Sequence, residues 1–224
     1  MSMPFYVAPE QMMKDRADYA RKGIARGRSL AGLVFDDGIL VCAETTSNTL
    51  RKVSEIYDRI AFAGVGRYNE FDQLRIAGVR HADLKGYSYS REDVDARSLA
   101  NQYAQILGQI FTHEMKPMEV EILVAEVTAS PGSDQLFHIL YDGTVVDENH
   151  FIVLGGDADA ITERLQGSWS EGLDLRGALS AAVAALSGSG RTLGATDLEV
   201  AVLDRDAPRR AFRRIEGQEL EDLL

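Results

Sequence analysis

Residues 28–35 read RSLAGLVF, 36–38 are Asp-Asp-Gly, and 39–47 read ILVCAETTS; a third apolar segment, IYDRIAFAGVG, covers 56–66. The first two runs are rich in Val, Ile, Leu and Phe, and Asp-Asp-Gly between them is turn chemistry for a tight hairpin. Two strands joined this way, followed by a third after the loop TTSNTLR, predict a sheet near the start of the chain. Lys52 stands at the start of the third segment, directly after that loop.

Working outward, 224 residues suit a single domain, one that buries roughly 70–75% of its unfolded surface. The apolar share is that of a globular protein, which excludes a disordered chain. A net charge of −11 argues against nucleic acid as the main partner, because phosphates would be repelled. The single cysteine, Cys42, excludes an intrachain disulfide and fits a reducing compartment. Its neighbours LVCAE predict a small buried side chain. No run approaches the ~20 apolar residues that span a bilayer. The start, MSMPFYVAPEQ, has neither a basic n-region nor a long apolar h-region, so it reads as part of a cytoplasmic protein and not as a leader.

Met1 to Val7 is uncharged and carries Phe5 and Tyr6. Pro9 fits the first turn of a helix, although Ala8 before it is a poor cap, about 1 kcal/mol worse than Ser. Met13, Ala17, Ala20 and Ile24 share one helical face, and Gly27 stops the helix. Arg21, Lys22 and Arg26 lie near its C-terminal end, where cations suit the helix dipole.

Further on, Phe71, Leu74, Gly78 and Ala82 share a face of a second helix. Leu99, Tyr103, Ile106, Leu107, Ile110 and Phe111 mark a third, from about Asp95 to Glu114, and GYSYS (86–90) connects the two. EVEILVAEV (119–127) predicts a strand with Glu119 and Glu121 on one face, read as an exposed or interface face. LFHILYDG and TVVDENHFIVLGG predict further strands about the turn Asp142-Gly143. The four histidines lack ligand spacing, so neither a metal site nor a cofactor is expected. Gly155-Gly156-Asp157 joins a strand to a helix as a tight turn. Ile161 and Leu165 mark that helix, and Leu175, Leu179, Ala182, Val183 and Leu186 mark the next. LEVAVLD (198–204) and RRAFRRI (209–215) are the last strands, and EGQELEDLL a short, surface-lying acidic helix. This order of helices and strands predicts a layered α+β domain.

The layout resembles the proteasome subunits, a branch of the Ntn-hydrolase fold, and is most similar to the non-catalytic α-type subunits of actinobacteria. The resemblance runs along nearly the whole chain, through ARKGIARGRS (20–29), KVSEIYDR (52–59), FDQLR (71–75), LANQYAQILG (99–108), LEVAVLD and PRRAFRRI (208–215). It implies a four-layer αββα sandwich of two antiparallel sheets flanked by helices, with an extra N-terminal helix. In catalytic relatives a threonine opens the first strand, a carboxylate ends the second and a lysine precedes the third. Glu44 and Lys52 match the carboxylate and the lysine, whereas Arg28 stands at the threonine position, and no threonine occurs before Thr45. A supporting serine of those relatives falls on Gly156 and a supporting aspartate on Arg191.

What the resemblance implies is therefore admission control. Residues 9–224 would be one α-type domain without catalytic residues. Met1, Ser2, Met3, Pro4, Phe5, Tyr6, Val7 and Ala8 would form a gating arm at the axial pore of a homo-heptameric ring. Lys52 would bind the C-terminal carboxylate of an activator, usually an ATPase ring whose tails end in a hydrophobic residue, a tyrosine and one more residue. The ring would stack on catalytic β subunits, and the substrates would be proteins marked with a ubiquitin-like modifier. The alternative is an Ntn-fold hydrolase in its own right, with Ser29 or Cys42 as nucleophile.

Overall fold

A computed structural model describes residues 8–47 and 49–224. Helix α1 (Pro9–Ala25) starts with proline in its first turn and without a side-chain cap, as the sequence predicts, and buries Ala20 and Ile24. The hairpin follows as β1 (Leu30–Phe35) and β2 (Gly38–Glu44), in antiparallel register with Phe35 opposite Gly38 and Leu30 opposite Ala43. The third apolar segment differs from its reading as one run. It is a second hairpin, β3 (Val53–Tyr57) and β4 (Ile60–Gly66), turning at Asp58-Arg59. Arg59 makes that turn possible without glycine: its guanidinium donates to the carbonyls of Val127, Ala207 and Arg205 at 2.9, 3.2 and 3.1 Å.

Helices α2 (Tyr68–Ser88) and α3 (Ala96–His113) come next. The buried residues of α2 are Phe71, Leu74, Gly78 and Ala82, the face expected from periodicity. The helix runs on through Ser88, however, so Gly86 to Ser88 are helical rather than connecting loop, and Tyr87 and Tyr89 are 91% and 79% exposed. The rest of the chain forms β5 (Val120–Glu126), β6 (Gln135–Ile139), β7 (Val145–Glu148), β8 (Phe151–Leu154), α4 (Ala158–Ser168), α5 (Leu175–Ser187), β9 (Leu198–Asp204), β10 (Phe212–Ile215) and α6 (Gln218–Leu223). The last helix does more than lie on the surface, because Leu220 is buried in the core beneath it.

Among the described residues ten strands make two antiparallel sheets, ordered β10-β9-β2-β1-β8 and β3-β4-β5-β6-β7. Alternation along each strand sends every second side chain into the layer between the sheets. Ile39, Val41 and Ala43 of β2 meet Ala61, Ala63 and Val65 of β4 there, with Leu123 and Ala125 of β5. The opposite faces are covered by helices. Leu40 and Cys42 pack under α4 and α5 with Leu165, Leu179 and Ala182, while Phe62, Ile122 and Val124 pack under α2 and α3 with Leu74, Leu99 and Tyr103. Small residues let the sheets close: a side chain at Gly32 would run into Leu123 across the interface. The fold is thus an α+β sandwich of two sheets flanked by helices, with α1 laid over one end of the inter-sheet layer, where Ala20 and Ile24 join it.

The ends of the sandwich, where that layer meets solvent, are closed by charge. At the end away from α1, Arg205 forks onto Asp134 at 2.8 and 2.6 Å, with side-chain exposures of only 7% and 2%. The same guanidinium donates to the Thr128 carbonyl at 2.8 Å. The pair ties the loop before β6 to the chain after β9, one sheet to the other. Removing one partner strands the other charge in low dielectric, at a cost of about 3–5 kcal/mol. Asp134→Ala should therefore lower the urea midpoint of the isolated chain by that equivalent, while Asp206→Ala beside it, at an exposed site, leaves the midpoint within about 0.5 kcal/mol of the parent.

Candidate functional site

The opposite end carries the residues that the sequence singled out, and the fold brings them together. Arg28 leads into β1, Glu44 ends β2 and Lys52 precedes β3. Glu44 is 6% exposed, a carboxylate that burial penalises unless it is paired. Two guanidiniums pair it: Arg28 Nη1 lies 2.5 Å from Oε1, and Arg191 donates to Oε1 at 2.8 Å and to Oε2 at 3.3 Å. Arg191 also donates to the Leu186 carbonyl at the end of α5, which fixes its position.

Lys52 completes the group. Its Nζ donates to the Arg28 carbonyl at 2.7 Å. Burial, against the attraction of Glu44 and Glu199 and with the help of the Arg28 charge, lowers its ammonium to about 8. Sequence reasoning missed Glu199. This residue of β9 is 3% exposed and accepts from the backbone N–H of Lys52 at 2.8 Å and of Val53 at 3.3 Å, reaching across from the facing sheet. Arg214 of β10 neutralises it at 2.6 Å. The available signal was a glutamate on the same parity as Ala201 and Leu203, the side of β9 that enters the inter-sheet layer.

Glu119, read with Glu121 as lying on an exposed or interface face, is buried within the chain. It is 3% exposed beneath α1, paired with Arg67 at 2.5 Å and Lys116 at 3.0 Å. Glu121, its neighbour on that face, pairs with His138 at 3.3 Å. Neither carboxylate faces a nucleophile. Among the described residues no group of three His, Cys, Asp or Glu is placed to hold a metal ion.

The two alternative nucleophiles are both occupied by structure. The Ser29 hydroxyl is buried and donates to the Gly155 carbonyl at 3.1 Å. Gly155 and Gly156 take positive φ values of 74° and 57°, and a side chain at Gly156 would collide with the Ser29 hydroxyl. Glycine is required there twice over, by backbone and by space. Cys42 is fully buried under the helices, and burial pushes its thiol up to about 12, so almost no thiolate exists at neutral pH. Of the arm residues only Ala8 is described, and it is exposed; Met1, Ser2, Met3, Pro4, Phe5, Tyr6 and Val7 lie outside the described residues.

A sandwich with a carboxylate closing β2, a lysine opening β3 and guanidiniums in the cleft between is consistent with the frame of an Ntn hydrolase. Residues 24–203 match the family described as "Proteasome subunit". The chain belongs to the proteasome subunit family. Three relatives within that family are alpha subunits. It is 65% identical to the proteasome subunit alpha of Acidimicrobium ferrooxidans, over all of this chain and 97% of that one. It is 58% identical to the proteasome subunit alpha of Sanguibacter keddieii, over all of this chain and 90% of that one, and 56% identical to that of Thermobifida fusca, over all of this chain and 91% of that one. Over its whole length, therefore, this chain has the character of a proteasome alpha subunit.

The burial of Cys42 yields a direct check. Iodoacetamide should fail to modify the native chain at neutral pH, and modification should appear only along the denaturant unfolding curve. Rapid alkylation of the native protein would contradict the position of the thiol under α4 and α5.

Proposed function

We propose that this chain is the non-catalytic, gating component of a 20S proteasome core. The observation that carries the reading is the Arg28–Glu44–Arg191 cluster. A guanidinium stands at the start of β1, and the carboxylate that would assist a nucleophile is neutralised by two arginines. Attack on an amide needs a nucleophile with an adjacent base; here the Ser29 hydroxyl is committed to the Gly155 carbonyl and the Cys42 thiol is buried and protonated. The lysine, relieved of a catalytic role, remains as a half-buried cation at the edge of the cleft.

In this reading the chain forms homo-heptameric outer rings that stack on rings of a catalytic beta subunit, in the cytoplasm. Among the described residues no helix is long and apolar enough to cross a membrane, and the acidic net charge disfavours nucleic acid. Residues 1–8 form the gating arm and 9–224 the ring-forming domain. Lys52 takes the C-terminal carboxylate of an ATPase activator, which delivers proteins marked with a ubiquitin-like modifier. An ammonium held in a partly desolvated site attracts a carboxylate more strongly than one in water. Lys52 is also held ready, since Glu199 fixes its backbone N–H.

The titration of Lys52 gives the docking step a pH signature. Its folded value, about 8, lies below the unperturbed lysine value of about 10.4, so the unfolded chain holds the proton more tightly. This group thus adds stability as pH rises through that window, whereas docking needs the protonated form. A peptide ending in the activator's last residues should stimulate the assembled core steadily below pH 8, then lose affinity by up to about tenfold per pH unit above it. Lys52→Ala should leave the ring intact by native mass and abolish the stimulation; stimulation that survives the substitution would place the tail elsewhere.

The arm is tested separately. A chain lacking residues 2–8, assembled with its beta partner, should cleave short peptides faster than the parent without any activator, and an unchanged rate would remove the gate assignment.

A further inference from the structure

The cleft behind Arg28 is cationic in an anionic protein. It is a cavity of about 400 Å³ lined by Arg26 from the end of α1, Arg28, Arg164 from α4 and Arg191, together with Glu44 and Asp157. Four guanidiniums against two carboxylates leave an excess of two positive charges in a chain whose net charge is −11. The donors are far from exhausted. Each guanidinium carries five N–H groups; Arg28 places one on Glu44, and Arg164 places its Nε on the Ala185 carbonyl at 2.8 Å. Arg26 and Arg28 are near neighbours in the sequence, whereas Arg164 and Arg191 come from two distant parts of the chain, so the fold brings three segments together here.

We propose that this cavity binds a short inorganic phosphate chain of pyrophosphate or triphosphate size. Guanidinium forks match phosphate oxygens two at a time, and several forks around one cavity suit an anion with several charged groups better than a lone carboxylate. The lining contains no aromatic face, and its apolar part is limited to Ile161 and Leu186, so a nucleobase finds nothing to stack on. The site reads phosphate and not nucleoside. It is separate from the docking assignment of Lys52, whose ammonium does not line the cavity.

Calorimetric titration of the full chain with inorganic triphosphate at low ionic strength tests the proposal. One saturable site per chain is expected. Arg28→Gln and Arg191→Gln should each weaken binding by about tenfold, the worth of one charged hydrogen-bonded contact. Each variant leaves Glu44 one guanidinium partner, so the buried carboxylate is not orphaned, and thermal unfolding verifies that both fold. Arg213→Gln, on the exposed β10, should leave affinity unchanged, and Lys52→Ala should retain the site. ATP should bind no more tightly than triphosphate. Absence of saturable binding, indifference to both arginine substitutions, or a clear preference for ATP would each overturn the assignment.

Discussion

A carboxylate buried at the end of a strand cannot stand alone, and the arrangement about Glu44 follows from that constraint. Taking such an ion out of water costs several kcal/mol unless opposite charge and hydrogen bonds replace the lost hydration. Here the replacement comes from Arg28, 16 residues before it, and Arg191, 147 residues after it. Together they satisfy the carboxylate and tie the chain before β1 and the chain after α5 to the end of β2.

The sandwich repeats that solution wherever its apolar layer reaches solvent. Side chains such as Val41, Ala63 and Leu123 make the interior dry, but the ends of two stacked sheets leave strand termini and loops with polar groups half out of water. Arg205 with Asp134 closes one end, and Glu119 with Arg67 and Lys116 supports α1 at the other. Glu199, paired with Arg214 on the neighbouring strand, accepts from the backbone of Lys52 and Val53 on the facing sheet. In each case a guanidinium or ammonium belonging to one element meets a carboxylate on another, so the pairs set how the elements sit and not only how firmly they hold.

Local pattern and long-range pairing differed sharply in how legible they were. The buried face of α2 could be read directly, because Phe71, Leu74, Gly78 and Ala82 repeat at the helical period and nothing competes with that signal. The split of 53–66 into two strands could not, because Asp58-Arg59 lacks turn glycine and the guanidinium that stabilises the turn does so through carbonyls 68 to 148 residues away. Glutamates in strands read as solvent-facing by default, so Glu119 was not expected to be buried and Glu199 escaped notice. Nothing near either in sequence except Lys116 announces a partner; Arg67 and the backbone of Lys52 arrive only with the fold. The cluster of Arg28, Glu44 and Lys52 was anticipated from a resemblance in layout, and its coming together in space is a property of the two hairpins that carry it.

Lys52 illustrates how a site can be poised by incomplete compensation. Glu44 and Glu199 both favour its charge, yet Glu44 is already committed to two arginines and Glu199 to Arg214 and two backbone donors. What remains for the ammonium is one hydrogen bond to a carbonyl, and burial wins, which is why its proton is held less tightly than in water. A cation in that condition gains more from an arriving carboxylate than one already paired. An ordinary surface lysine also loses about 2 kcal/mol of rotamer freedom when it is immobilised; at Lys52 part of that ordering is already complete, because the facing sheet holds the backbone and the Arg28 carbonyl holds the tip. The buried salt bridges around Lys52 thus act on it indirectly: by satisfying one another they leave it the unneutralised member of the group.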